Sequence, residues 1–119
     1  MENKIILLVD DQKINLDLME KYLEEQGYNI IITQESMNVV TTVKEKKPDA
    51  IIMDIIMPHK KGDDIALELK KDPETKNIPI ILITADILHE KENMKADYFI
   101  RRPIIGEELI NILKNIFSS

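Results

Sequence analysis

Five short runs of almost unbroken aliphatic character constrain this chain more than any other feature: "KIILLV" (4–9), "NIIIT" (29–33), "AIIMD" (50–54), "PIILIT" (79–84) and "DYFIR" (97–101). A strand with one wet face alternates apolar and polar residues, whereas a strand covered on both faces reads as a continuous Ile/Val run. The runs therefore predict buried strands of a parallel sheet. Between them apolar residues fall at helical spacing, as Ile14, Leu18, Tyr22 and Leu23 in the first interval and Leu109, Leu113, Ile116 and Phe117 in the last. Gly27 is placed to end the first helix, Pro48 to close the second, and Pro73 and Pro79 to bracket the loop "DPETKNIP" before the fourth strand. Strand alternating with helix five times implies right-handed crossovers and a doubly wound, flavodoxin-like α/β fold, for which a five-stranded parallel sheet of order 2-1-3-4-5 is expected. At 119 residues the chain is expected to form one domain, spanning 1–119.

Folds of this kind bind ligands beyond the carboxyl ends of their strands, at the switch point between strands 1 and 3. Strand 1 delivers Asp10 and Asp11 there, strand 3 delivers Asp54, strand 4 delivers Thr84 and Ala85, and strand 5 delivers Arg102 followed by Pro103. Asp54 is the least expected of these, an acid set between Ile51, Ile52 and Met53 on one side and Ile55, Ile56 and Met57 on the other. Ordinary explanations exist for each residue alone. Asp10 and Asp11 suit the cap of a helix beginning near Gln12, Asp54 suits a loop, and Thr84 is a β-branched residue at a strand end. Their shared placement on one rim is what those explanations leave out. Two like charges about 4 Å apart at an effective dielectric near 20 repel by roughly 4 kcal/mol. Relief comes either from protons kept by coupled carboxylates or from a cation. Oxygen donors suit a hard divalent ion, Mg²⁺ first, and Arg102 stands ready to help from one edge.

The remaining composition narrows the function by exclusion. With 22 acidic and 16 basic residues the net charge is -6, which disfavours nonspecific attraction to nucleic acid or to an anionic membrane. No apolar run has the length of a membrane span, and "MENKIILLVDDQ" turns acidic too soon for a signal peptide, so a cytoplasmic chain is expected. The absence of cysteine removes disulfides, thiolate metal sites and a cysteine nucleophile. His59 and His89 stand in polar contexts and are expected to be solvent-exposed and metal-free, Met53 and Met57 to fill gaps in the core, and "KEKK" (44–47) to form a solvated helix end.

Four separated motifs, "VDD" after strand 1, "MDIIMPHKKG" around strand 3, "ITA" at strand 4 and "RRP" after strand 5, together resemble the CheY-like receiver domain of bacterial response regulators, the phosphoacceptor half of two-component signalling. The resemblance covers nearly the whole chain. It implies that Asp54 takes a phosphoryl group from a phosphohistidine on a sensor histidine kinase or phosphotransfer protein. It further implies that Asp11, Asp54 and the backbone carbonyl of Ile56 hold Mg²⁺ directly, with Asp10 acting through a water. Thr84 would bind a phosphoryl oxygen and form a switch pair with Phe99, Arg102 would contact the phosphoryl group, and the Arg102–Pro103 bond would be cis. Pro58 and Gly62 fit the tight turn that follows the phosphoacceptor. What is implied is a signalling domain acting on a downstream protein target, with no enzymatic activity beyond its own phosphotransfer and slow autodephosphorylation.

Two departures stand out. The family usually carries Lys where this chain has Arg102, and a planar fork on a longer stem is not a compact ammonium. The interval from Thr84 to Arg102 is about four residues short, roughly one helical turn, and the loss falls on the fourth helix. Ile87, Leu88 and Met94 are the only large apolar residues in that segment, so a short or mobile helix is expected there and familiar dimer geometry is not carried over. Asp86 is expected beside the phosphoryl group, where it would tune hydrolysis. The alternatives are a degenerate receiver serving as an unphosphorylated interaction module, which Arg102 and the short helix favour and the intact acids and Thr84 oppose; a Mg²⁺-dependent phosphohydrolase, whose acid-x-acid signature is missing; and a flavin site, for which "DDQKIN" offers no phosphate loop. The residues through "NIFSS" contain no effector domain, and either a stand-alone receiver or a piece of a larger regulator or hybrid kinase is expected.

Overall fold

The aliphatic runs 4–9, 50–54 and 79–84 become the buried central strands, whereas 29–33 and 97–101, expected to be buried as well, lie at the edges of the sheet and are covered only in part. A computed structural model describes residues 3–84 and 95–118. In chain order the elements are β1 (Ile5–Val9), α1 (Lys13–Glu25), β2 (Asn29–Thr33), a short 3-10 helix (Ser36–Asn38), α2 (Val39–Lys46), β3 (Ala50–Asp54), α3 (Gly62–Lys71), β4 (Ile80–Thr84), β5 (Tyr98–Arg101) and α4 (Gly106–Phe117). The sheet runs β2-β1-β3-β4-β5 with every neighbouring pair parallel, as the sequence predicts. The helix expected between β4 and β5 lies outside the described residues, and with it Ala85, Asp86 and His89.

Period-two alternation along the strands divides the core into two layers. Ile6, Leu8, Ile52, Ile81, Ile83 and Ile100 face α1 and α4, meeting Leu16, Met19 and Leu23 from the one and Leu109, Ile110 and Leu113 from the other. Leu7, Val9, Ile51, Met53, Ile80 and Leu82 face α2 and α3, meeting Val39, Val43, Ile65, Ala66 and Leu69. All five residues of β3 and of β4 are buried, which is why those runs carry no alternating polar positions. Met53 and Met57 are both buried in the second layer, as expected.

The first helix turns a different face inward than its most regular spacing suggests. Ile14 and Leu18 are 68% and 66% exposed, and the buried stripe is Leu16, Met19 and Leu23, with Tyr22 half-buried beside it. Of the expected Ile14, Leu18, Tyr22 and Leu23, Leu23 is buried and Tyr22 partly so, while Ile14 and Leu18 lie on the opposite side of the cylinder from Leu16 and Met19; spacing alone does not choose between the two sides. The last helix follows expectation: Leu109 and Leu113 are buried, Ile116 and Phe117 partly so.

Helix ends are set by local chemistry. After α1 the amide of Gly27 donates to Glu24 and that of Tyr28 to Leu23, a Schellman closure that needs the left-handed φ of 95° at Gly27. After α2 the left-handed residue is Lys47 (φ 49°), directly before Pro48, whose ring disfavours the right-handed helical conformation in the residue preceding it. The 72–79 loop is pinned by Thr75 Oγ1, which donates to the Leu69 carbonyl at 2.6 Å. Asp97 Oδ2 accepts from Lys70 Nζ at 2.7 Å and from the Ile80 amide at 2.8 Å, so the starts of β4 and β5 are tied together and their far ends reach the same edge.

Ile52 lies at the centre of β3 with no exposed surface. Ile52→Ala is expected to lower the unfolding free energy by about 3 kcal/mol, read from the urea midpoint at unchanged m-value.

Candidate functional site

Adjacent β1 and β3, in register with Val9 opposite Met53, carry Asp10 and Asp54 to the same edge side by side. Asp10 has no exposed surface, Asp54 is 7% exposed, and Asp11 is half-buried. One carboxylate oxygen from each of the three lies within 4.8 Å of the others. Neither Asp10 nor Asp11 caps a helix: the residue before α1 is Gln12, and no side chain caps that end. Asp10 instead accepts three hydrogen bonds. Its Oδ1 takes the Gln12 amide at 2.9 Å, and its Oδ2 takes Asn15 Nδ2 at 3.2 Å and Arg102 Nη2 at 3.1 Å.

Arg102 reaches the acids from the end of β5, where its amide donates to the Thr84 carbonyl at 2.8 Å. The Arg102–Pro103 bond is cis, as the resemblance implies. The same Nη2 that meets Asp10 donates to Asp54 Oδ2 at 2.7 Å, while Asp54 Oδ1 accepts from the Ile56 amide at 3.2 Å. Burial drives the Asp54 carboxyl above the usual carboxylate range; Arg102 and the Ile56 amide pull it back without cancelling the effect, and Asp10 adds to the rise. For Arg102, burial alone lowers the pKa, but the bonds to Asp54 and then Asp10 outweigh it and hold the guanidinium above its ordinary value.

The chain after β3 folds tightly back over Asp54. The Ile55 amide donates to Ile83, the Gly62 amide donates to Ile55 at 2.8 Å, and a Cβ at Gly62 would lie 2.2 Å from the Asp54 carbonyl oxygen. Only glycine fits that approach. Ser36 Oγ donates to the Pro58 carbonyl at 2.6 Å, tying the loop after β2 to the loop after β3. His59 follows with a left-handed φ of 72° and is exposed, as expected. Thr84 is 5% exposed at the end of β4, and Phe99 on β5 is half-buried against the core layer that α2 and α3 cover.

Two features of the site escape a reading of strand ends. One is Asn15, a polar side chain turned inward from the first turns of α1; the signal was a lone amide five residues beyond Asp10. The other is apolar. Among the described residues the exposed large hydrophobics are Ile14, Leu18, Met37, Ile56 and Ile105; Ile14 and Leu18 stand on the first half of α1, Met37 in the 3-10 helix after β2, Ile56 in the loop after β3 and Ile105 directly before α4. A cavity of about 710 Å³ adjoins the acids between α1 and the start of α4, with Asn15 and Arg102 in its wall.

A buried acid at the end of the middle strand, two further acids beside it and a basic group from the last strand make an oxygen-rich site that suits a hard divalent cation. Residues 6–114 match the response regulator receiver domain, and the chain belongs to that family. It is a signalling domain of two-component systems. It is 29% identical over 116 residues to the polar-differentiation response regulator DivK of Brucella anthropi, covering 94% of each chain. The receiver domain of the sensor histidine kinase PA1611 of Pseudomonas aeruginosa, whose structure has a magnesium ion coordinated in the active site cleft, matches with a TM-score of 0.88 at 26% identity, over 98% of this chain and 100% of that one. The chemotaxis response regulator CheY4 of Vibrio cholerae shares the fold, with a TM-score of 0.88 at 21% identity over 98% and 100% of the two chains.

Two expectations follow from the geometry. Gly62→Ala forces the backbone at Asp54 to shift and is expected to lower stability by about 2 kcal/mol, visible as an earlier thermal midpoint. Because the Asp54 carboxyl titrates above its ordinary range, the folded state binds that proton more readily than the unfolded chain, and stability falls as pH rises through the interval between the two values. Metal-free Asp54→Asn, which carries no such charge, is expected to melt a few degrees above the wild type at neutral pH, with the difference closing as pH drops below the ordinary carboxylate range.

Proposed function

We propose that Asp54 is the phosphoacceptor of this receiver. The observation that carries this reading is a carboxylate fixed on both oxygens, by the Ile56 amide and by Arg102, with Asp10 and Asp11 alongside. In the reaction an Asp54 oxygen attacks the phosphorus of a partner's phosphohistidine. The P–N bond breaks, the imidazole leaves, and an acyl phosphate forms on Asp54. Asp10, Asp11, Asp54 and the Ile56 carbonyl would hold Mg²⁺, which when bound offsets charge on the phosphoryl oxygens. Arg102 follows the negative charge from the carboxylate to the phosphoryl group. The Thr84 hydroxyl donates to a phosphoryl oxygen, and Phe99, which has no hydroxyl, reports the change through packing alone. Hydrolysis of the acyl phosphate then resets the domain slowly.

The partner is a sensor histidine kinase or a phosphotransfer protein. Its imidazole has to come within bonding distance of Asp54, so its docking face surrounds the site, where Ile14, Leu18, Met37, Ile56 and Ile105 offer apolar contact. The net charge of -6 argues against nucleic acid as a ligand of this domain. Among the described residues no helix is long and apolar enough to cross a membrane, and a cytoplasmic site of action fits the kinase partner. Residues 1–119 act as one receiver with a protein as downstream target. The reading as an unphosphorylated module rested partly on Arg102 replacing lysine. Arg102 keeps the charge and contacts Asp54 at 2.7 Å, which weighs against that reading.

Incubation with acetyl phosphate and Mg²⁺ followed by intact-mass measurement is the direct test. One added phosphoryl group in the wild type and none in Asp54→Asn is the expected result; no addition to either would favour the interaction module instead.

A further inference from the structure

Asp10 Oδ2 has two side-chain partners of different kinds. Arg102 Nη2 meets it at 3.1 Å and Asn15 Nδ2 at 3.2 Å, while Oδ1 is occupied by the Gln12 amide. Asp10 has no exposed surface with Arg102 in place, so its oxygens depend on partners within the site. We propose that Asn15 is a positioning residue that sets how easily Arg102 can leave Asp10. The inference rests on the reading of Asp54 as phosphoacceptor, and it concerns the control of that same site.

Arg102 serves Asp10 and Asp54 with one nitrogen, at 3.1 and 2.7 Å. A cation among the acids, or a phosphoryl group on Asp54, moves the charge that holds this nitrogen. If Arg102 were the sole side-chain partner of Asp10 Oδ2, its departure would leave that buried oxygen without a side-chain donor, and an under-satisfied buried carboxylate is costly. Asn15 removes that obstacle. Its amide already donates to the same oxygen from α1, a helix anchored through Leu16, Met19 and Leu23, and it has no need to move when Arg102 does.

The chemistry of the amide matters as much as its place. A neutral donor satisfies the oxygen without cancelling the negative charge that a divalent ion requires; a lysine at position 15 would satisfy the oxygen and compete with the ion. The cavity of about 710 Å³ between α1 and the start of α4, walled in part by both Asn15 and Arg102, gives the guanidinium space to shift without repacking the core. Asn15 thereby adjusts metal affinity through Arg102 while touching neither metal nor phosphoryl group.

A double-mutant cycle on Mg²⁺ affinity, measured by titration calorimetry on the whole chain, tests this. Asn15→Leu is expected to weaken Mg²⁺ binding about five-fold when Arg102 is present, and by less than about two-fold in an Arg102→Ala background, where no cation is left to be pinned. An equal loss in both backgrounds would mean that Asn15 only holds Asp10 or α1 in shape, and would overturn the proposal. So would an unchanged affinity in the single variant, or a wild type that binds no Mg²⁺. Asn15→Ala runs the same cycle should leucine at this position unfold the chain. Phosphoryl uptake from acetyl phosphate is read in parallel. A wild type that binds Mg²⁺ but takes up no phosphoryl group counts against Asp54 as acceptor and leaves the cycle readable, whereas normal uptake with equal losses counts against Asn15 alone.

Discussion

One guanidinium nitrogen held between two buried carboxylates is the contact on which this site depends. Asp10 and Asp54 stand on neighbouring parallel strands, and without Arg102 Nη2 between them their charges would repel by roughly 4 kcal/mol at a separation near 4 Å. Buried ion pairs rarely add net stability over apolar residues of the same size. The raised pKa of the Asp54 carboxyl agrees: even with Arg102 at 2.7 Å, burial wins and the charged form is disfavoured. The fold thus carries a buried acid that it does not need for stability.

The architecture around that contact is arranged to keep the acids close and the backbone still. Parallel strands put every carboxyl end on one edge, and continuous burial of β3 and β4 leaves Asp54 little freedom to move as a unit. Beyond the edge, the loops are crossed by short bonds: Ser36 to Pro58, Gly62 to Ile55, Ile55 to Ile83. Gly62 lets the chain close over the Asp54 carbonyl at a distance no other residue tolerates.

Much of this was legible in the amino-acid order because burial on both faces writes itself directly into composition. All five runs became strands with ends shifted by at most a residue, and the order 2-1-3-4-5, one known solution for alternating strand and helix, is the one found. The acids could be placed on one rim for the same reason, since each directly ends or follows a strand. Side-chain pairing was harder to read. Ile14 and Leu18 suggested one face of α1, but Leu16, Met19 and Leu23 on the opposite side meet the sheet, and periodicity cannot say which of two apolar stripes does so. Asn15 was invisible for a related reason: its role depends on a helix rotation that the tertiary packing sets, and a lone amide has no motif.

That rotation joins the two halves of the account. By turning Leu16, Met19 and Leu23 inward, α1 also brings Asn15 against Asp10 and sends Ile14 and Leu18 outward to solvent. One helix therefore supports the buried carboxylate with its inner side and presents an apolar surface with its outer side, and a residue shift in its sequence would lose both at once. Replacing lysine by Arg102 fits the same frame. Its longer side chain reaches both carboxylates through a single nitrogen, which leaves the rest of the planar fork free of the two acids.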